Sequence, residues 1–274
     1  MQSRSPQSRS PQSRSLQSRS TCFALEKLGS SPLEWEDAAA YRDGSATARF
    51  VVVDGATEAY DALRWVEHLA GSFVGDDGPA LDREGLRAWF TRVQAMWAAA
   101  APEVFASVIE ELKFRDEGSF ATFLGARLVG LDGAHPRWEA AALGDTVLFH
   151  VRDRRLVAHF PPLEVEGFGL SPDGISTQPA SVEPMTRRLE FAYGEVRAGD
   201  LLFVATDALA QWLLVETRRD QHVLWDLLAD VDHDATFAAL VADQRGAGRL
   251  HNDDVTLLRV AVDTAEPTSL VVCL

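Results

Sequence analysis

Short apolar runs and helical periodicity alternate along the first half of the chain. The runs at 21–28 and 49–54 are short and contain β-branched and aromatic residues, which is typical of strands. Apolar residues at helical spacing follow from about residue 59 to residue 74, and again over 83–100 and 102–112. This half of the chain therefore predicts two strands followed by three helices.

The second half changes to a pattern that favours antiparallel strands. From 119 to 159, short apolar runs are separated by Asp-Gly, Gly-Asp and Arg-Asp-Arg-Arg turns, which predicts hairpins. Residues 160–198 are rich in Pro and Gly and have little periodicity, so we interpret them as a long loop or flap. A strand at 200–207, helices over about 208–245 and a last strand at 254–262 complete the pattern. Helices grouped apart from meandering strands predict an α+β protein with antiparallel sheets.

The first 20 residues repeat Gln-Ser-Arg-Ser four times at a period of five. This composition cannot bury apolar surface, so we expect residues 1–20 to form a disordered tail. The tail is rich in Arg and Ser, as transit peptides are, but it lacks an amphipathic face; its arginines could also contact acidic partners. We place one domain at 21–265 and a C-terminal tail at 266–274.

Composition narrows the class of protein. With 274 residues and 46% apolar content, the chain can fill a large core. Its net charge of −15, from 41 acidic and 26 basic residues, argues against nucleic acid as a partner. No apolar run reaches the length of a membrane span. The two cysteines, Cys22 and Cys273, form no disulfide framework, so we expect a cytoplasmic protein.

Aspartates stand at the ends of four apolar runs that lie far apart in sequence. Asp54 and Asp207 each end a run, Asp145 lies between two runs, and Asp253 and Asp254 precede the last one. Asp is an ordinary turn residue, so turn chemistry alone is one interpretation. Four such junctions favour a metal site, because clustered carboxylates repel one another unless a hard cation such as Mg²⁺ or Mn²⁺ binds them. A pair of such ions can activate water for attack on phosphorus.

Six segments in this order resemble the motif set of the metal-dependent type 2C (PPM) protein phosphatases, of the bacterial single-domain type. Each motif alone is weak, but together they cover nearly the whole chain after the tail. The segments are "GSSPLEWEDAA" (29–39), "VVVDGATE" (51–58), "GSFATFLGARL" (118–128), "AALGDTVLFHV" (141–151), "GDLLFVATDAL" (199–209) and "HNDDVTLL" (251–258).

The resemblance implies a fold, an activity and a cofactor. The fold would be a β-sandwich of two antiparallel sheets flanked by helices. The activity would be hydrolysis of phosphomonoesters on phosphorylated protein substrates at serine and threonine, in signalling, by a hydroxide bridging two divalent metals. The cofactors would be two Mg²⁺ or Mn²⁺ ions, and a third ion is an option. The resemblance implies no oligomeric state.

The resemblance also implies roles for individual residues. Asp54 would bridge the two metals and the Gly55 carbonyl would bind one of them, which explains why the strand at 49–54 ends on Asp-Gly. Asp207 and Asp253 would complete the metal ligands. These three aspartates are the catalytic candidates.

Other matched positions would support this centre. Glu36 and Asp37 would orient metal-bound waters, and Asp145 matches the position linked to a third metal. Asp254 and Thr256 are interpreted as caps of the turn before the last strand.

The positions that would contact the substrate depart from the family pattern. Pro32 stands where the family carries its phosphate-binding arginine, so the residue that binds substrate phosphate is unknown. Arg64, one helical turn beyond Asp61, is a weak candidate because it is the first arginine after the Asp54 motif. A catalytically weak pseudophosphatase that binds phosphoproteins is therefore an alternative function. The further departures are Ala56, Thr57, Glu58, Phe120 and Ala208.

Overall fold

Two antiparallel sheets pack face to face in a computed structural model that describes residues 15–31, 34–56, 59–100, 107–169 and 172–265. The first sheet, sheet I, has the order β1-β11-β10-β6-β7. Its strands are β1 Leu16–Leu25, β6 Val147–Arg152, β7 Arg155–Phe160, β10 Asp200–Ala205 and β11 Val255–Thr264.

The second sheet, sheet II, has the order β2-β3-β4-β5-β9, and β8 also pairs with β4. Its strands are β2 Asp37–Arg42, β3 Thr47–Gly55, β4 Phe120–Val129, β5 Arg137–Leu143, β8 Ile175–Ser176 and β9 Glu190–Glu195.

Six α-helices in the described part of the chain flank the two sheets. Three of them contribute to the apolar layer outside sheet II, and two pack outside sheet I. The prediction of an α+β sandwich of two antiparallel sheets with flanking helices is confirmed. The helices are α1 Ala62–Val74, α2 Arg83–Ala99, α3 Val108–Leu112, α4 Val182–Arg188, α5 Asp207–Ala229 and α6 Asp234–Gly246.

The sandwich explains why β3 carries an unbroken apolar run. Phe50 and Val52 face the layer between the two sheets, whereas Val51 and Val53 face the helices that cover sheet II. Because both faces of this strand are buried, the alternation of apolar and polar residues typical of a half-exposed strand is lost.

The first strand begins within the expected tail, so the boundary at residue 20 is wrong. Leu16 is buried between the sheets, and its N–H donates to the carbonyl of Leu131 at 2.7 Å. The first two repeats place Pro6 and Pro11 where the third places Leu16, and proline has no N–H to donate. Residues 1–14 and 266–274 lie outside the described residues.

The interpretation of 160–198 as one loop is also wrong. It contains α4 and β9, which pairs with β5 from Arg137 opposite Glu195 to Ala142 opposite Glu190. As an edge strand, β9 exposes most of its residues and therefore lacks a regular apolar alternation. The sequence did not predict the strand β2. Within the described residues, the third predicted helix, at 102–112, corresponds to α3. No helix in the described ranges combines the length and the apolar character needed to cross a membrane.

A buried polar network joins the sheets near the start of β10. The Trp138 indole donates to Nδ1 of His150 at 3.2 Å, so His150 carries its proton on Nε2 and donates it to Asp200 at 2.9 Å. Arg152 forms two hydrogen bonds to the same carboxylate, at 2.6 and 2.7 Å, and the N–H of Arg197 adds another. Burial alone would raise the pKa of Asp200, but these donors lower it to about 2.

Replacing Leu16 with proline should lower the free energy of unfolding by about 2–4 kcal/mol. The carbonyl of Leu131 loses its donor, and the buried leucine side chain no longer fills its place at the edge of the core. Leu16→Met keeps both the N–H and the approximate volume, and should cost less than about 1.5 kcal/mol. Urea denaturation of the two variants tests this expectation, and equal stabilities would contradict it.

Asp200→Asn should lower the free energy of unfolding by roughly 2–4 kcal/mol, since Arg152 loses a buried ionic partner but keeps partial contact with water. The pKa of Asp200 is lowered in the fold, so its carboxylate stabilises above about pH 4 and loses this effect as the pH falls toward 2. Melting curves across pH should therefore show the variant converging on the wild type in acid. Asp153→Asn, at an exposed ion pair with Arg197, is the control.

Candidate metal centre

The ends of strands from both sheets bring the predicted aspartates to one end of the sandwich. In sheet II, Asp37 at the start of β2 lies directly opposite Asp54 near the end of β3. Asp54 in turn lies opposite Thr122, whose hydroxyl is 2.8 Å from that of Thr146, the residue after Asp145.

Sheet I supplies the other aspartates at the same end. Asp207 is the first residue of α5, directly after β10, while Asp253 and Asp254 precede β11. Because β10 and β11 are antiparallel and adjacent, the end of one strand lies beside the start of the other.

Two threonines hold the sheets together at this end. The N–H of Thr256 donates to the Thr206 hydroxyl at 3.0 Å, and the N–H of Thr206 donates to the Thr256 carbonyl at 3.2 Å. The Thr256 hydroxyl then donates to the Asp37 carboxylate at 2.7 Å, across to sheet II. Thr256 therefore orients Asp37, which differs from the predicted turn cap.

The aspartates lie close enough to perturb one another. Burial raises the pKa of Asp54 well above its usual value, and the charges of four further aspartates raise it more. Burial also raises the pKa of Asp207, and the charge of Asp253 adds to this effect. The four aspartates that act on Asp54 are Asp37, Asp207, Asp145 and Asp253.

Asp37 and Asp145 are the most deeply buried members of this acid cluster, which comprises Asp37, Asp54, Asp145, Asp207 and Asp253. Burial raises the pKa of Asp37 to about 7, against the hydrogen bond from Thr256. Burial followed by the charge of Asp207 raises that of Asp145 to about 7. Both side-chain oxygens of Asp145 are buried, and no other described residue donates a hydrogen bond to them; its own backbone N–H is the one donor that counteracts the rise in pKa.

The donor set fits hard divalent cations, because every member is a carboxylate oxygen and a buried unpaired carboxylate is costly. In the described part of the chain, no group of three or more His, Cys, Asp or Glu side chains is arranged to hold a metal ion as it stands. Binding would therefore require side-chain movement.

Gly55 is required by packing. Its N–H donates to the carbonyl of Glu36 at 3.0 Å, and a Cβ at this position would lie 2.6 Å from that oxygen. The same Cβ would come within 3.2 Å of Ala62 and Val66 of α1. The glycine thus lets β2, β3 and α1 meet directly beside Asp54.

Asp254 and Arg245 clamp the loop after β1 to the segment before β11. The Asp254 carboxylate accepts the N–H groups of Lys27 at 2.8 Å and Glu36 at 3.2 Å. Arg245 of α6 donates to the Glu26 carbonyl at 2.9 Å and also to the Asp253 carbonyl. Asp254 therefore bridges two loops, where the sequence predicted a local turn cap.

Arg245 was not predicted from the sequence. It lies in the last turn of α6, six residues before the segment at 251–258, and no local pattern separates it from a surface arginine. Its guanidinium is nevertheless buried and positions Asp253 through the backbone.

The contacts of Arg64 lie along the helices. Its guanidinium donates to the carbonyl of Ala100 at 2.9 Å, lies 3.8 Å from the Asp61 carboxylate and covers the Trp97 ring at 5.3 Å. A phosphate bound by Arg64 would have to compete with these contacts. Pro32, Thr57 and Glu58 lie outside the described residues.

Solved structures of phosphatases resemble this chain over most of its length. The photosystem II phosphatase PBCP has a TM-score of 0.58 at 14% identity, covering 90% of this chain and 100% of that one. RsbX in complex with magnesium has a TM-score of 0.54 at 12% identity, covering 90% and 96%. The catalytic domain of the serine/threonine protein phosphatase PstP, in complex with two manganese ions, has a TM-score of 0.54 at 18% identity, covering 90% and 99%.

These likenesses establish that the chain has the fold of the type 2C phosphatases. Comparison with models of protein families and with curated protein sequences returned no match.

Asp145→Asn should raise the melting temperature of the metal-free protein, because it removes a buried, unpaired charge worth on the order of 1 kcal/mol. The rise in melting temperature on adding Mn²⁺ should become smaller in the same variant. Asp173→Asn is the matched control, since that carboxylate is exposed and paired with Arg188 at 2.5 Å. A lower metal-free melting temperature for Asp145→Asn would contradict the assignment of Asp145 to a cation site.

Proposed function

We propose that this chain is a metal-dependent protein serine/threonine phosphatase of the type 2C (PPM) family, which hydrolyses phosphomonoesters of phosphorylated proteins. The observation that carries the proposal is the acid cluster, in which both sheets bring carboxylates together at one end of the sandwich, with Asp37 and Asp145 buried. The solved phosphatases that share the fold, two of them described as metal complexes, support it.

The acid cluster supplies the ligands for two Mg²⁺ or Mn²⁺ ions. Asp54, the Gly55 carbonyl, Asp207 and Asp253 would hold them, and Asp145 would serve a third. When bound, such ions supply an activated water and neutralise charge on the phosphoryl group. Five ionised carboxylates carry five negative charges, and two divalent ions neutralise four of them. One negative charge therefore remains for a further cation.

The chain's own residues fix the position and charge of these carboxylates. Thr256 holds Asp37 by its hydroxyl, so this carboxylate is oriented from sheet I although it belongs to sheet II. Arg245 holds the backbone of Asp253, and Asp254 fixes the backbone of Glu36. These residues support metal ligands or metal-bound water by hydrogen bonds. Replacing residues of this kind typically changes metal affinity or activity by about 10–100-fold.

A second candidate is a catalytically weak phosphoprotein-binding module. It is favoured by Pro32, which cannot replace an arginine as a phosphate ligand, and by Thr57 and Glu58 after Asp54. The two functions share the metal site and differ in turnover. Cytoplasmic location and a signalling role remain predictions from the sequence.

The full chain should hydrolyse p-nitrophenyl phosphate and a phosphothreonine peptide only with Mn²⁺ or Mg²⁺. Asp54→Asn and Asp207→Asn should each reduce kcat by at least about 100-fold and weaken Mn²⁺ binding measured by calorimetry, because each removes a ligand and its charge. Asp76→Asn, at an exposed ion pair with Arg42, should change neither.

Phosphopeptide binding without turnover, in a protein that binds Mn²⁺, would favour the binding module. Unchanged Mn²⁺ affinity in both variants would overturn the metal assignment itself.

A further inference from the structure

A cleft opens beside the acid cluster, between the loop after β1 and the start of α1. Glu36 and Ala62 form part of its wall. Glu36 directly precedes Asp37, and its carbonyl accepts the N–H of Gly55, so Glu36 connects the wall of the cleft to the backbone beside Asp37 and Asp54. Its other polar lining residues are Lys27, Ser30, Glu34 and Asp61.

Lys27 is the one basic residue among the described residues that line this cleft. The whole chain contains two lysines, Lys27 and Lys113, against 41 acidic residues. A phosphate dianion that approaches the acid cluster through the cleft would meet three carboxylate side chains and one ammonium. Of these four charged groups, only the Lys27 ammonium attracts the dianion, whereas the three carboxylates repel it.

The backbone around Lys27 is held against the segment that carries Asp253. The Lys27 N–H donates to Asp254 at 2.8 Å, and its carbonyl accepts the N–H of Ser30 at 3.1 Å. The next residue, Leu28, donates to the Asn252 side chain at 2.7 Å and accepts from it at 3.2 Å. These bonds hold the backbone of Lys27 beside Asp254, the residue that follows Asp253 of the acid cluster.

We propose that Lys27 binds the phosphate group of the substrate, in place of the arginine that the type 2C pattern would put at position 32. The proposal rests on the proposed phosphatase function. Lysine offers a compact charge on a flexible stem, whereas arginine offers a planar pair of donors. Lys27 would therefore act mainly in binding the phosphate, with a smaller effect on the chemical step.

The experiment measures the binding of inorganic phosphate to the full chain saturated with Mn²⁺. Lys27→Gln should weaken phosphate binding, measured by calorimetry, by about ten- to a hundredfold, the range expected for one charge-assisted hydrogen bond. KM for p-nitrophenyl phosphate should rise by a similar factor, with a smaller change in kcat. Mn²⁺ affinity should stay within about twofold of the wild type, and Lys27→Arg should restore most of the phosphate affinity.

Two control variants separate Lys27 from general charge effects. Lys113→Gln removes the other lysine, which lies in a helical turn at 113–117, and should leave phosphate binding unchanged. Arg64→Gln tests the rival site on α1. Loss of phosphate binding in Arg64→Gln but not in Lys27→Gln would overturn the proposal.

The remaining outcomes distinguish the role of Lys27 in phosphate binding from the phosphatase activity itself. Phosphate binding that depends on Lys27, in a protein without turnover, would support Lys27 and count against the phosphatase. Turnover with unchanged phosphate affinity and KM in Lys27→Gln would overturn Lys27 and leave the phosphatase standing. A parallel loss of Mn²⁺ affinity would overturn it too, because Lys27 would then act on the metal ligands through the loop.

Discussion

Repulsion among buried carboxylates governs one end of this sandwich. Asp54 carries a strongly raised pKa because it is buried and because other aspartates surround it. Apolar packing on both faces of β3 supplies the rigidity that keeps such groups near one another. In the proposed metal-bound protein, a divalent cation would convert this repulsion into attraction, so an arrangement that costs stability without the ion would provide binding energy with it.

At the start of β10, in contrast, a buried carboxylate is stabilised by hydrogen-bond donors of the protein. Asp200 is fully buried, yet its pKa is lowered to about 2 because His150, Arg152 and a backbone N–H donate to it. The strand β10 thus connects Asp200, whose partners lie within the protein, to Asp207, which is a proposed metal ligand. This contrast separates an aspartate that stabilises the fold from those available for function.

Much of the architecture was predictable because buried strands and amphipathic helices leave periodic patterns. The sequence indicated β3, β4, β10 and β11 and the helices α1, α2, α5 and α6 by this means. It did not indicate β9, because an exposed edge strand has little apolar alternation, nor the start of β1, where Leu16 stands within a polar repeat. The proximity of Asp54, Asp145 and Asp207 agrees with the pattern of strand ends, whereas Asp37 was indicated only by the family resemblance. The contact of Arg245 with Glu26 and the bridging role of Asp254 depend on long-range contacts that no local pattern shows.

The pairing of β1 with β11 also determines when the site can form during synthesis. Leu25 lies opposite Val255, and the clamp beside them joins Lys27 to Asp254, so residues near opposite ends of the domain must meet before the acid cluster is complete. A nascent chain that has not yet released β11 lacks Asp253 and the threonine that orients Asp37. Metal capture would therefore be a late event in biogenesis, coupled to closure of the last strand.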